Sequence, residues 1–252
     1  MRRSIFQFLK MAKAIGQNPD YVQGSGGNVS VKIDSKTMLI KRSGTPLNQV
    51  GFDRGFVAVN YARVQNHLNL TSLNQDSMSP HASKETRYSE CLKMQTTPYK
   101  AGDRASLETG FHALLDAFVV HSHSVFVNIL TCSQEGSTIL QSLFPDGLWL
   151  NYHAPGVDLA TAMLTHPAWN PKLRTIFLQN HGVIVAAESV QTVLAVHENI
   201  NSVIRNHLGM NGAIEPVLKK RHCRAIEGIL FPDQLVYENI HNSSDYASVH
   251  IA

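Results

Sequence analysis

Charge is scarce in this 252-residue chain. Asp, Glu, Lys and Arg together make up 16% of it, the formal net charge is +3, and the basic residues form no long run. Nothing here provides the electrostatic footprint of a nucleic-acid binder, although a small anionic substrate is compatible. Cysteine is sparser still. Cys91, Cys132 and Cys223 are odd in number and form no CxxC pair, so a disulfide framework is not expected and reduced thiols in a cytoplasmic protein are. Long hydrophobic runs are missing too, and no stretch is apolar enough to span a bilayer. The N-terminal run Ile5-Phe6-Gln7-Phe8-Leu9 is interrupted by Gln7 and followed by Lys10 and Lys13, with no small-residue cleavage site after it. It reads as an amphipathic helix rather than a signal peptide.

With 43% hydrophobic residues the chain can bury a substantial core. We expect one domain over residues 1–210 and a C-terminal extension or tail over 211–252. The compositional oddity is thirteen histidines spread along the chain. Two of them sit in Ala117-Phe118-Val119-Val120-His121-Ser122-His123-Ser124, where a β-favouring run enters an H-x-H pair. In a strand His121 and His123 point to one side, with Cα atoms roughly 7 Å apart. That spacing lets both rings reach one ion at roughly 2.1 Å per Zn–N bond. The same pattern also suits two strand histidines facing water or a partner.

The rest of the chain is read in order. Residues 4–16 form a helix with Ile5, Phe6, Leu9, Ala12 and Ile15 as its apolar stripe. Gly24-Ser25-Gly26-Gly27-Asn28 opens the strand Val29–Ile33 and fits no dinucleotide or P-loop pattern. Met38–Lys41 pairs back as a hairpin. Ser43-Gly44 closes that strand as a turn, or offers a hydroxyl and a bare N–H to a phosphate. Phe56–Val59 is a third strand, Asn66–Ser79 a polar surface loop and Ser83–Met94 a helix. Ser106 caps a helix that carries Glu108 and His112 on one face. Glu108 there is a dipole partner, a general acid/base or a fourth metal ligand, and His112 is a packing residue. Val125–Cys132 and Gly136–Leu143 are helical, Leu148–Tyr152 is a strand and Gly156–Leu164 a short helix. Thr175–Leu178 and Val183–Ala186 flank Gln179-Asn180-His181-Gly182, a hairpin whose turn carries a third imidazole. Ser189 caps the longest helix, to His207, with Val193, Val196, Ile200, Val203 and Ile204 buried and His197 and Glu198 on its surface.

Taken in this order, Gly27-Asn28-Val29-Ser30-Val31, Val120-His121-Ser122-His123 and Asn180-His181-Gly182 resemble the class II aldolase/adducin family. That family includes fuculose- and rhamnulose-phosphate aldolases and ribulose-phosphate 4-epimerase. The resemblance implies a three-layer α/β fold with a central, mainly antiparallel sheet flanked by helices, usually assembled as a homotetramer with sites between subunits. It implies Zn2+ or another divalent metal on His121, His123 and His181, and Glu108 as the catalytic acid/base, its pKa raised by a partly dry site. Gly27, Asn28, Ser43, Gly44 and Ser106 fall on phosphate- and substrate-binding positions. Tyr152 and Tyr237 are both candidates for a catalytic tyrosine. The implied reaction is carbon–carbon cleavage or formation in a sugar phosphate or related hydroxy-ketone through an enediolate. Epimerisation, decarboxylation and an inert adducin-like interaction module are the alternatives. Ala105 stands where the family commonly has proline, and Leu107 where several aldolases have a second phosphate-binding serine. Lys41-Arg42-Ser43 replaces the usual threonine-proline-serine.

Overall fold

Short runs rich in Val, Ile and Leu alternate along this chain with segments whose apolar residues recur every three or four positions. The computed structural model describes residues 2–73 and 83–210. In chain order it contains α1 (Arg2–Gly16), β1 (Asn28–Lys32), β2 (Thr37–Lys41), a 3-10 turn (Leu47–Gln49), β3 (Phe56–Asn60), α2 (Tyr61–Ser72) and α3 (Lys84–Gln95). There follow β4 (Thr96–Thr97), α4 (Thr109–Leu114), β5 (Phe118–Ser122), α5 (Val125–Thr131), α6 (Gly136–Leu143) and β6 (Leu148–Leu150). The series closes with α7 (Val157–Thr165), β7 (Thr175–Leu178), β8 (Gly182–Ala187) and α8 (Val190–His207).

The strands form one sheet in the order β4-β3-β2-β1-β5-β8-β7-β6. Its described pairings are antiparallel apart from β6 with β7. Side-chain alternation divides the core into two layers. Val29, Val31, Phe118, Val120, Val183 and Val185 pack against residues of α1, α5 and α8. Met38, Ile40, Val57, Val59, Val119, Ile184 and Ala186 pack against residues of α2, α3, α4 and α7. The expected three-layer α/β architecture with a mainly antiparallel sheet is what the chain adopts. β5 runs between β1 and β8 and is buried along its whole length, so whatever its end carries is held on both sides. Among the described residues no helix is long and apolar enough to cross a membrane.

Four local expectations need correction. In α1 the buried residues are Phe8, Met11, Ala12 and Ile15, whereas Phe6 is 61% exposed and meets the ring of Phe52 edge-on. Two apolar stripes compete in this helix, and the one carrying Phe8 wins by packing on Phe56 of β3. The polar stretch from Asn66 to Ser72 is not loop but the second half of α2. Asn60 caps that helix by accepting from the Arg63 N–H, and Val64, Leu68 and Thr71 form its buried stripe. The remainder of the expected loop lies outside the described residues, as do Cys223, Tyr237 and the tail. The strand at Leu148 ends at Leu150, two residues early.

His197 is the fourth correction. It is only 1% exposed on the inner face of α8, with its Nε2 2.7 Å from the Ser122 hydroxyl. Burial drives its pKa down to about 4, and that of His112, also buried, down to about 3. In the unfolded chain both titrate near 6.5. As the pH falls from about 6.5 toward 4, the unfolded chain takes up protons that the folded one refuses, so stability present at neutral pH is lost across that window. The thermal midpoint should fall accordingly. His197→Gln should flatten its pH slope, as measured by calorimetry between pH 7 and 4.5, whereas an unchanged slope would mean His197 is not buried as a neutral ring.

Candidate metal centre

Alternation at the end of β5 sends His121 to the α4 side of the sheet and Ser122 to the α8 side. His123 lies just past the strand and returns to the side of His121: their Nε2 atoms are 2.9 Å apart. The third imidazole arrives on the β7–β8 hairpin. Its turn uses Asn180 at φ 53 and Gly182 at φ 154, conformations that asparagine and glycine adopt most cheaply. A Cβ on Gly182 would lie 2.2 Å from the Ser122 carbonyl oxygen. The hairpin can therefore close on the end of β5 only with glycine there. His181 Nε2 consequently lies 3.3 Å from His121 Nε2.

Glu108 completes the group. Its Oε1 is 3.3 Å from His121 Nε2 and 3.5 Å from His181 Nε2. One ligating atom from each of Glu108, His121, His123 and His181 lies within 4.8 Å of the others. His121, His123 and His181 are 0%, 5% and 2% exposed. His121 Nδ1 is 3.0 Å from the Val183 carbonyl oxygen. A carbonyl only accepts, so Nδ1 carries the proton and Nε2 presents a bare lone pair to the centre. Three imidazole nitrogens beside one carboxylate oxygen form a donor set suited to a borderline divalent cation, so these residues fit a metal. Burial lowers the His181 pKa to about 4, which favours its neutral, ligating form. Burial alone would raise the Glu108 carboxyl, in line with expectation. The neighbouring imidazoles, His121 first and then His181, outweigh it and hold the group well below the usual carboxylate range, against the expected rise.

The segment before Glu108 differs from the expected helix. α4 starts at Thr109, with Glu108 at its cap position but not capping it. The Ser106 hydroxyl accepts from the Glu108 N–H at 3.3 Å, a turn that frees the carboxylate to reach the histidines. The Tyr88 hydroxyl donates to the Leu107 carbonyl oxygen at 2.8 Å and steadies this turn from α3. Asn28, the register partner of His121, donates from Nδ2 to Glu108 Oε2 at 3.3 Å. Its Oδ1 is buried without a hydrogen-bond partner. Gly27, at φ 68, lets that strand start against β5: a Cβ there would sit 2.5 Å from Val22 and 2.9 Å from the His121 carbonyl.

Ser43 and Gly44 form an exposed turn after β2. The Ser43 N–H is spent on the Arg104 carbonyl at 3.0 Å. Arg42 pairs with Asp103 at 2.7 Å, and its hydrogen bond lowers that carboxyl. Lys41 is buried and donates to the carbonyls of Ser25 and Thr45. These contacts tie the glycine-rich loop to the 43–45 turn, that turn to residues 104–105, and the Ser106 bend to Asn28 through Glu108. The sequence-read residues thus lie on adjoining segments. Tyr152 is 47% exposed, its N–H bonded to Gln179 Oε1 at 3.0 Å. His112 packs as expected, with Nδ1 2.8 Å from the Ser30 hydroxyl. Sequence reading missed Tyr88, His197 and Asn201, although the spacing of His197 from Val193, Ile200 and Ile204 was a usable signal for the inner face of α8.

Two glycine substitutions separate backbone strain from crowding. Gly44→Ala meets nothing within 4 Å and should cost about 1–2 kcal/mol for its left-handed backbone alone. Gly182→Ala should cost more than Gly44→Ala, because the hairpin must also back away from Ser122. Urea denaturation of the two variants measures the difference.

Known proteins agree with this architecture. The family model described as "Class II Aldolase and Adducin N-terminal domain" matches residues 7–208. The N-terminal class II aldolase domain of a conserved Thermoplasma acidophilum protein superposes with a TM-score of 0.64 at 23% identity, over 81% of this chain and 93% of that one. A sugar-phosphate aldolase from Thermotoga maritima does so with a TM-score of 0.56 at 13% identity, over 85% and 98%. At these identities the likeness is one of fold. YuxG of Bacillus subtilis, named an uncharacterized oxidoreductase, is 22% identical over 255 residues, 90% of this chain but 34% of that protein. The chain spans about a third of that relative's length. The matched span, the antiparallel sheet and the histidine–glutamate centre at the end of β5 place this chain in the class II aldolase and adducin N-terminal domain family.

Proposed function

We propose that the protein is a metal-dependent aldolase, making or breaking a carbon–carbon bond in a sugar phosphate or related hydroxy-ketone, with zinc as the ion. One observation carries this reading: three buried imidazoles converge beside an acidic side chain that is itself held in place. His121, His123 and His181 would hold the ion, which when bound supplies Lewis-acid polarisation of a carbonyl and stabilises the negative charge that cleavage leaves next to it.

The chain's own groups do the rest. Glu108, kept ionised by its neighbours, takes a proton from the carbon beside the carbonyl in the addition direction and returns it after cleavage. Asn28 fixes the carboxylate through Oε2, and its unpartnered Oδ1 accepts a substrate hydroxyl. The phosphate belongs with Gly27, Asn28, Ser43, Gly44 and Ser106. The Ser43 and Ser106 hydroxyls serve it rather than the Ser43 amide, because the Ser106 oxygen that accepts from Glu108 still has its own proton to donate. Binding there supplies energy remote from the reacting bond and orients the substrate. A cytoplasmic homotetramer belongs to the same reading. Hydride chemistry of the kind YuxG's name suggests finds no support in Gly24–Gly27. That turn leads into β1, whereas a dinucleotide turn opens a helix.

Metal-loaded protein incubated with a panel of ketose phosphates should release a short aldehyde. A 4-epimer or carbon dioxide as sole product would replace the aldolase with an epimerase or decarboxylase, and a protein that takes up no metal would favour an inert interaction module. His123→Ala should lose its metal by elemental analysis while keeping its far-ultraviolet circular dichroism. Glu108→Gln should lower kcat by about 10²–10⁴-fold, measured by coupled aldehyde reduction.

A further inference from the structure

The ladder of β5 ends at Ser122, which pairs with Val183 of β8, and on the other side at His121, which pairs with Asn28. His123 lies past that point. A ligand one residue beyond its strand needs another source of rigidity, because supporting groups must hold it to within about 0.5 Å.

That source is visible on the far side of the sheet. The serines flanking His123 both turn to α8 and both are fully buried. Ser122 Oγ is 2.7 Å from His197 Nε2. Ser124 stands at the cap position of α5, but its side chain does not cap that helix. Its hydroxyl donates instead to Asn201 Oδ1. With Oδ1 so used, Asn201 Nδ2 faces His197, 2.8 Å from its carbonyl oxygen and 3.4 Å from Nδ1. The protons then have one consistent arrangement. Asn201 donates to His197 Nδ1, leaving Nε2–H to donate to Ser122. Tyr21 closes the ring's flank, edge-on at 4.7 Å between centroids, and its hydroxyl donates to Glu198.

We propose that His197 and Asn201 are positioning residues that set the place of His123 by gripping the serine on each side of it. The inference rests on the metal reading of His121, His123 and His181. One turn of α8 reads alternate residues of His121-Ser122-His123-Ser124 from behind while the imidazoles face the centre. Neither α8 residue touches the centre, so the effect reaches it through two side-chain hydrogen bonds and the backbone between them. Outer partners of metal ligands typically govern affinity by 10–100-fold, and an effect relayed through backbone belongs at the lower end of that range.

The test is zinc titration of the metal-free full chain against a chromophoric chelator, using zinc alone. Wild type should bind one ion per chain and His123→Ala none, and wild type that binds none overturns the metal reading and this inference together. Ser122→Ala, which removes one hydroxyl and opens almost no cavity, should weaken zinc by about 10-fold. His197→Ala should do the same, and the double variant no more than either alone, since one link is cut twice. His197→Gln, with a donor of similar reach, should recover part of the affinity. Leu68→Ala, buried on the other face of the sheet, should lose stability and keep its zinc affinity. If wild type binds, His123→Ala does not, and both Ser122→Ala and His197→Ala stay within about twofold of wild type, the positioning role is overturned while the metal site stands. Should His197→Ala fail to fold, Ser122→Ala decides.

Discussion

Three imidazole nitrogens and a carboxylate oxygen share one space nearly closed to water, some of them about 3 Å apart. Polar groups buried without partners are costly, and converging lone pairs are more so. The His121 Nδ1 proton is committed to the Val183 carbonyl, which leaves Nε2 facing the other donor atoms. A cation would take up these lone pairs, and much of the fold near the centre serves to hold the four side chains together.

The supporting parts are different in kind. Backbone geometry delivers His181, through a turn whose Asn180 and Gly182 accept conformations that larger residues resist. A diverted helix start delivers Glu108, with Ser106 and Tyr88 steadying the bend and Asn28 fixing the carboxylate. Strand pairing on both sides holds His121, and a buried polar network on the opposite face holds the serines around His123. That network satisfies the hydrogen bonds of Ser122, Ser124, Asn201 and His197 inside an otherwise apolar layer. Such complete satisfaction is the condition under which buried polar groups rigidify rather than destabilise.

The same neighbours that shape the centre limit what surrounds it. Lys41, Arg42 and the Ser43 amide stand beside the expected phosphate positions, yet each is committed to the chain itself. What they do is bind three loops into one surface. Any anion near Ser43 and Ser106 therefore meets hydroxyls set on a stiffened backbone rather than loose cationic side chains.

Period-two and period-three-to-four patterns decided on their own where most strands and helices lie, because apolar burial on one face is a local requirement. They also put His121 and His123 on one side of a strand and His181 in a tight turn. Other features depended on groups distant in sequence. The Phe8 stripe of α1 prevailed because Phe56 was there to meet it, and Asn66–Ser72 became helix because α2 had a core to cover. α4 started late because its would-be cap region was drawn toward the histidines. His197 was read as a surface residue because a lone histidine beside Glu198 gives no sign of Ser122 waiting across the sheet. The amino-acid order alone thus determined the residue types of the candidate centre and the side that His121 and His123 share. Only the tertiary structure decided their convergence and what holds them, because pairing energies between residues 60 to 80 positions apart are absent from any local window.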